Sequence, residues 1–196
     1  YVRASSKDNP HLPKDYVDSL NLTDRLARAY LHGEFVVLEG VVYWTYEPRV
    51  GGSLVDMRPE PEFASYGALD FGGRRPYFAL LQDRTVDGEH AEVIVEECVG
   101  ADTLEEAHAN KCADMLQDYG VTMLDCFCDP AGASRNAQTG YSSVQVYDRV
   151  FRKRGVLAGE MNYTTDRIER HIPSGVEAVR AKLESHSGKR TLFVAE

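Results

Sequence analysis

Ser65-Tyr66-Gly67-Ala68-Leu69-Asp70-Phe71-Gly72-Gly73 is an apolar run that closes on a carboxylate and two glycines. A second stretch has the same form, Val121-Thr122-Met123-Leu124-Asp125-Cys126-Phe127-Cys128-Asp129-Pro130. Each reads as a buried strand that carries an aspartate at its carboxyl end. In an α/β sheet, ligands gather just outside the carboxyl ends of the strands. If these two strands are neighbours, Asp70 and Asp129 meet at one edge although they lie far apart in the chain. Paired carboxylates repel, and a divalent cation between them resolves the conflict. Such a site suits phosphodiester chemistry.

Each aspartate also has a plainer reading. Asp70 can end its strand in a turn, with Phe71-Gly72-Gly73 removing side-chain bulk where a phosphate or another backbone would approach. Asp129 before Pro130 has the form of a helix N-cap with proline at the first helical position. The residues that follow, Ala131-Gly132-Ala133-Ser134-Arg135-Asn136, are poor helix formers, so the pattern places Asp129 at a strand end before a loop.

Working outward from these runs, strands are predicted over 64–71, 77–82, 91–98 and 121–128. Asp87-Gly88 marks a hairpin between the second and third. A helix is predicted from Asp102-Thr103 to Tyr119, with Glu105 and Glu106 favoured in its first turn and Gly120 as its stop. A second runs from Ser142 to Arg154 and stops at Gly155. A short strand over 156–160, a helix over 166–186 and a last strand over 191–195 complete the order β-β-β-α-β-α-β-α-β. Hairpin strands followed by alternating helix and strand give a mixed α/β sheet flanked by helices, the ribonuclease-H-like order in which the first strand is central and lies beside the fourth.

Residues 1–60 differ from the rest and read as an arm, with the domain proper over 61–196. The arm opens on the proline-punctuated Ser5-Ser6-Lys7-Asp8-Asn9-Pro10-His11-Leu12-Pro13. An amphipathic helix is predicted over 13–32, a strand or hairpin over 35–44, and a loop over 47–62.

A chain of 196 residues, 43% hydrophobic, can bury one core. No apolar stretch approaches the ~20 residues that cross a bilayer, and no signal peptide is evident, which predicts a cytosolic protein without a membrane partner. The net charge of -9 argues against coating nucleic acid by bulk charge. It leaves room for a nuclease, since carboxylates around metals lower the total while local arginines hold phosphates. Arg74 and Arg75 after the glycine turn, and Arg135 after Asp129, are the candidate DNA contacts. The RVFRKR run at 149–154 reads as the basic end of a helix.

Glu96 and Glu97 end the third strand, and one of them faces the same way as Asp70; Glu97 is the candidate metal ligand. Asp125 faces the same side as Asp129, deeper in the sheet. Asp166 and Glu169 read as caps of the last helix. Cys98, Cys112, Cys126 and Cys128 match no zinc spacing and read as reduced thiols. The six histidines show no ligand motif, and there is no Walker-type phosphate loop.

Together these residues resemble a known family, the C-terminal nuclease domain of the large terminase subunit of tailed bacteriophages. The resemblance rests on Ala4-Ser5-Ser6-Lys7-Asp8-Asn9-Pro10-His11-Leu12 with Tyr16, on Leu31-His32-Gly33-Glu34-Phe35 and on Glu39-Gly40-Val41-Val42-Tyr43. It continues through Gly67-Ala68-Leu69-Asp70-Phe71-Gly72, Asp129-Pro130-Ala131 and Gly175-Val176-Glu177-Ala178-Val179-Arg180, in the family's order. The resemblance implies an endonuclease that cuts concatemeric double-stranded viral DNA with two Mg²⁺ or Mn²⁺ ions. Asp70 and Asp129 match the first and second metal ligands. A third acidic ligand is expected after the last strand, beyond Glu196. It further implies an upstream ATPase domain, contacts with the portal and the small terminase subunit, and the cytoplasm of the infected bacterial host. Two other readings stay open: a DNA- or portal-docking module with weak or latent cutting, and another ribonuclease-H-like nuclease such as a resolvase or transposase.

Overall fold

In the computed structural model, the described residues are 42–137, 140–164, 172–185 and 188–196. The chain divides into two compact units, Tyr1–Val42 and Tyr43–Glu196, and every element named here belongs to the second. Among the described residues these are β1 (Leu54–Val55), β2 (Ser65–Asp70), β3 (Tyr77–Val86), β4 (Glu89–Val99), α1 (Glu105–Asp118), β5 (Asp125–Cys128), a 3-10 turn (Pro130–Ala133), α2 (Ser143–Arg154), β6 (Met161–Asn162), α3 (Ile172–Leu183) and β7 (Leu192–Ala195).

The seven strands form one sheet in the order β1-β7-β4-β3-β2-β5-β6. Asp87 and Gly88 both take positive φ, 52° and 82°, which is what a two-residue turn needs to match the twist of its strands. The turn folds β3 back on β4, and β2 pairs antiparallel with β3 on the other side. On its far edge β2 pairs parallel with β5, Tyr66 opposite Asp125 through Leu69 opposite Cys128. The first predicted strand thus lies inside the sheet beside the fourth, as expected, while the middle of the seven is β3 because β1 and β7 extend the other edge.

Period-two alternation splits β2 and β3 between two faces. Leu69, Phe78 and Leu80 are buried on the face that carries α1 and α2. On α1, His108, Ala109, Cys112, Ala113 and Leu116 form one buried stripe at helical spacing. On α2 the stripe is Val144, Tyr147, Val150 and Phe151. Phe78 meets Phe151 edge-on, with ring centroids 6.1 Å apart. A reciprocal capping box between Ser142 and Gln145 starts α2, and Gly155 ends it as predicted.

Several boundaries move. The strand predicted over 121–128 is hydrogen-bonded as a strand only at Asp125–Cys128. Met123 exchanges bonds with Val156 and Ala158 instead, so the predicted 156–160 strand is a single bridge there and its ladder falls at Met161–Asn162. The first helix starts at Glu105, because Asp102 sits at φ 48° outside it. The predicted loop over 47–62 contains β1, which pairs parallel with β7. Gln82 and Arg84, both buried, then pin 58–60 to the sheet through the Glu60 backbone, the Arg58 carbonyl and the Glu60 carboxylate. Neither the proline spacing nor the composition of that segment signals a two-residue edge strand. The predicted helix over 13–32 and nearly all of the 35–44 strand lie outside the described residues, as do residues 166–171 of the last helix.

Candidate functional site

The Asp129 amide donates to the Leu69 carbonyl at 2.9 Å, extending the β2–β5 ladder one step beyond Cys128. Asp70 and Asp129 therefore leave adjacent parallel strands at the same sheet edge, and both are exposed. Each carboxylate is oriented by its own loop. Asp70 Oδ1 accepts from the Gly72 amide at 3.0 Å, and Asp129 Oδ1 accepts from the Ala131 amide at 2.8 Å. In each case Oδ1 takes the local bond, and among the described residues no protein donor is assigned to Oδ2. Asp129 is thus both a strand end and a cap: Pro130 follows it into a 3-10 turn that the residue pattern did not predict.

The two loops lock together behind the carboxylates. Phe71 is buried and packs edge-on against Tyr147 with centroids 5.4 Å apart. Its ring also lies where a Cβ on Gly132 would stand, so only glycine lets the Asp129 loop close on the Asp70 loop. Gly72 has φ 26°, and a Cβ there would come within 2.5 Å of the Arg75 carbonyl. The tight turn directs Arg74 and Arg75 outward.

Glu97 reaches the Asp70 side through an irregularity. Leu80 pairs with Glu96 and Leu81 with Ile94, leaving Val95 as an extra residue in β4. Strict alternation from buried Val93 and Val95 would put Glu97 under the helices. The bulge reverses this: Glu97 pairs with Ala79, on the face of Tyr77 and Asp70, while Glu96 turns under and accepts from the Tyr119 hydroxyl at 2.8 Å. Glu97 Oε2 accepts from the Tyr77 hydroxyl at 2.8 Å. Burial, then that carboxylate, pushes the Tyr77 phenol up to about 12. Glu97 closes no carboxylate triad with Asp70 and Asp129, since the oxygens of the three do not all lie within 4.8 Å of one another.

Arg74, Arg75 and Arg135 are all exposed. Arg74 lies 3.9 Å from Asp102, with both side chains open to solvent, a weak pair. Arg135 opens the loop after the 3-10 turn and bridges to Ser142. Asp125 is occupied otherwise: its Oδ1 accepts from the Glu160 amide at 2.8 Å and ties β5 to the strand beyond it. Asp166 and Glu169 lie outside the described residues. The basic run of 149–154 is spent on surface pairs, Arg152 with Asp148 at 2.7 Å and Arg154 with Asp114 at 2.5 Å.

One cluster was missed. Cys98, His108 and Cys112 place ligand atoms within 4.8 Å of one another, all buried. Its signal was the i, i+4 spacing of His108 and Cys112 on one helix face. Two thiols and an imidazole form a donor set that can hold a soft metal, not a hard cation such as Mg²⁺. Here its hydrogen bonds are already made. The Cys98 carbonyl, an acceptor only, faces Nε2 at 3.1 Å, so Nδ1 accepts from the Tyr147 hydroxyl at 2.8 Å. Cys112 Sγ is 3.7 and 3.8 Å from the two ring nitrogens. Burial lowers the His108 pKa and raises that of Cys112, keeping both neutral. All four cysteines are free thiols.

Among the described residues, no helix is long and apolar enough to cross a membrane. No protein-family model and no curated protein sequence matches the chain. Among solved structures, a protein of the Ppx/GppA family from Aquifex aeolicus aligns with a TM-score of 0.29 and 12% identity, over 50% of this chain and 35% of that one. The nuclease domain of the P22 large terminase aligns with a TM-score of 0.53 and 11% identity, over 79% of this chain and 73% of that one. At that identity the likeness is one of fold: the chain has the ribonuclease-H-like α/β fold of a terminase nuclease domain, and the expected resemblance holds at that level.

Proposed function

We propose that this domain is a metal-dependent endodeoxyribonuclease of a viral DNA-packaging terminase, with Asp70 and Asp129 as its catalytic carboxylates. The observation that carries the reading is their delivery to one edge by adjacent parallel strands, within a fold shared with the P22 terminase nuclease domain. Their donor set fits hard divalent cations: carboxylate oxygens, exposed, with Oδ1 of each oriented by a backbone amide. Asp70 and Asp129 would hold Mg²⁺ or Mn²⁺, two ions in the reading drawn from the resemblance, with Glu97 nearby. When bound, such ions polarise the phosphodiester and lower the pKa of a water at the site. The residues of the chain bind and orient: Arg74, Arg75 and Arg135 would contact the phosphates of double-stranded DNA, which positions the backbone without reading bases. The upstream ATPase domain joined through residues 1–60, the portal and small-subunit partners, and the host cytoplasm belong to the same proposal.

A docking module with weak cutting is the second reading, favoured by one observation: among the described residues, Asp70 and Asp129 belong to no set of three acidic side chains whose oxygens all lie within 4.8 Å of one another. Cleavage of supercoiled plasmid in Mn²⁺ or Mg²⁺ separates the two. The nuclease reading expects nicking that requires the cation and falls at least ~100-fold in Asp70→Asn and in Asp129→Asn, both still folded. Retained DNA binding with no cleavage at any cation concentration would favour docking.

A further inference from the structure

We propose that Tyr77 is a positioning residue for Glu97, and that Glu97 acts on the cation of the carboxylate edge through a cation-bound water rather than as a direct ligand. The inference rests on the nuclease reading of Asp70. Tyr77 stands directly opposite Asp70 in the β2–β3 pair, so the two side chains leave the same face with Cβ atoms ~5 Å apart. Val99 is opposite Tyr77 on β4, and Glu97 is two residues back on the same face. Tyr77 thus spans the strand between Asp70 and Glu97, and its hydroxyl holds Glu97 Oε2 at 2.8 Å.

An exposed glutamate at a strand end has a free choice of rotamers. This one is held by the half-buried Tyr77, whose hydroxyl donates to Oε2 at 2.8 Å. The other oxygen, Oε1, accepts from no donor among the described residues and is left for a ligand. Glu97 stands on β4, with β3 and its Tyr77 side chain between it and Asp70, which sets its carboxylate behind the direct ligands. A hydrated ion fits: Mg²⁺ and its analogues keep several waters, and a carboxylate beyond the direct ligands takes a hydrogen bond from one of them. The bulge at Val95 supports this use. It gives up a ladder position and brings Glu97 to the Asp70 face, where no cation partner is present among the described residues.

Mn²⁺ binding, followed by the electron-spin signal of the free ion, tests this without cleavage. The full chain is compared with Tyr77→Phe, Glu97→Gln, the double variant and Asp70→Asn, each checked by thermal unfolding. Asp70→Asn should abolish the site. Tyr77→Phe and Glu97→Gln should each weaken Mn²⁺ about tenfold, and the double variant should be no weaker than Glu97→Gln alone, because Tyr77 acts only through Glu97. If Tyr77→Phe does not fold, Glu97→Gln alone still decides whether this carboxylate contributes. Unchanged affinity in the single variants with loss in Asp70→Asn overturns the role of Tyr77 and Glu97 and leaves the nuclease reading standing. Additive losses overturn the positioning. No Mn²⁺ binding by the parent chain overturns both proposals.

Discussion

The amide of Asp129 donates to the carbonyl of Leu69 at 2.9 Å, and that one bond sets the relation of the two candidate carboxylates. It carries the parallel ladder one residue past the end of β5, so Asp129 leaves the sheet level with Asp70. The geometry therefore depends on how the loops behind the two residues pack.

Gly132→Ala should disturb stability and site together. The added methyl runs into the Phe71 ring, which is held on its other side by Tyr147. Overpacking of this kind costs about 1–3 kcal/mol, read as a lower urea midpoint at constant m-value. Mn²⁺ affinity should fall as well, since the two loops can no longer close.

Tyr147→Phe keeps the ring packing and removes one hydroxyl. The buried Nδ1 of His108 then loses its donor, which costs about 1–3 kcal/mol. Because the cluster is a satisfied core network, adding Zn²⁺ to the parent protein should not raise its Tm; a stoichiometric rise would show that the thiols and imidazole capture metal.

The same histidine predicts acid sensitivity. Burial lowers its pKa below the ordinary 6.5, so an unfolded chain takes up the proton first as pH falls. Stability from this group is intact above about pH 6.5 and is lost progressively below it, down to the lowered folded value. Urea unfolding between pH 5 and 7 should show this slope, and His108→Gln should show less of it despite starting from a lower stability.

Arg135→Ala should weaken binding to duplex DNA uniformly across sequences. If the side chain neutralises one phosphate, the slope of log K against log salt should fall in magnitude by about 0.9. Arg152→Ala, engaged with Asp148 and Glu160, should leave that slope unchanged.

The sequence by itself determined the sheet edge. Apolar runs ending in Asp70 and Asp129, the Asp87-Gly88 turn and the Gly155 stop are local signals, because strand period, positive φ and helix termination are properties of a few neighbouring residues. The place of β2 inside the sheet, beside β5, followed from the order of elements. Tertiary structure decided what depends on partners far away in the chain. Leu54 and Val55 become a strand only because β7 offers them an edge. Asp129 caps a turn of poor helix formers because Gly132 can close on Phe71. His108 and Cys112 meet Cys98 only when α1 packs on β4. Glu96 and Glu97 differ by one position, and parity from Val93 assigns them to the wrong faces. The extra residue at Val95 reverses that parity, and a bulge is set by the register of two paired strands, which no single strand contains.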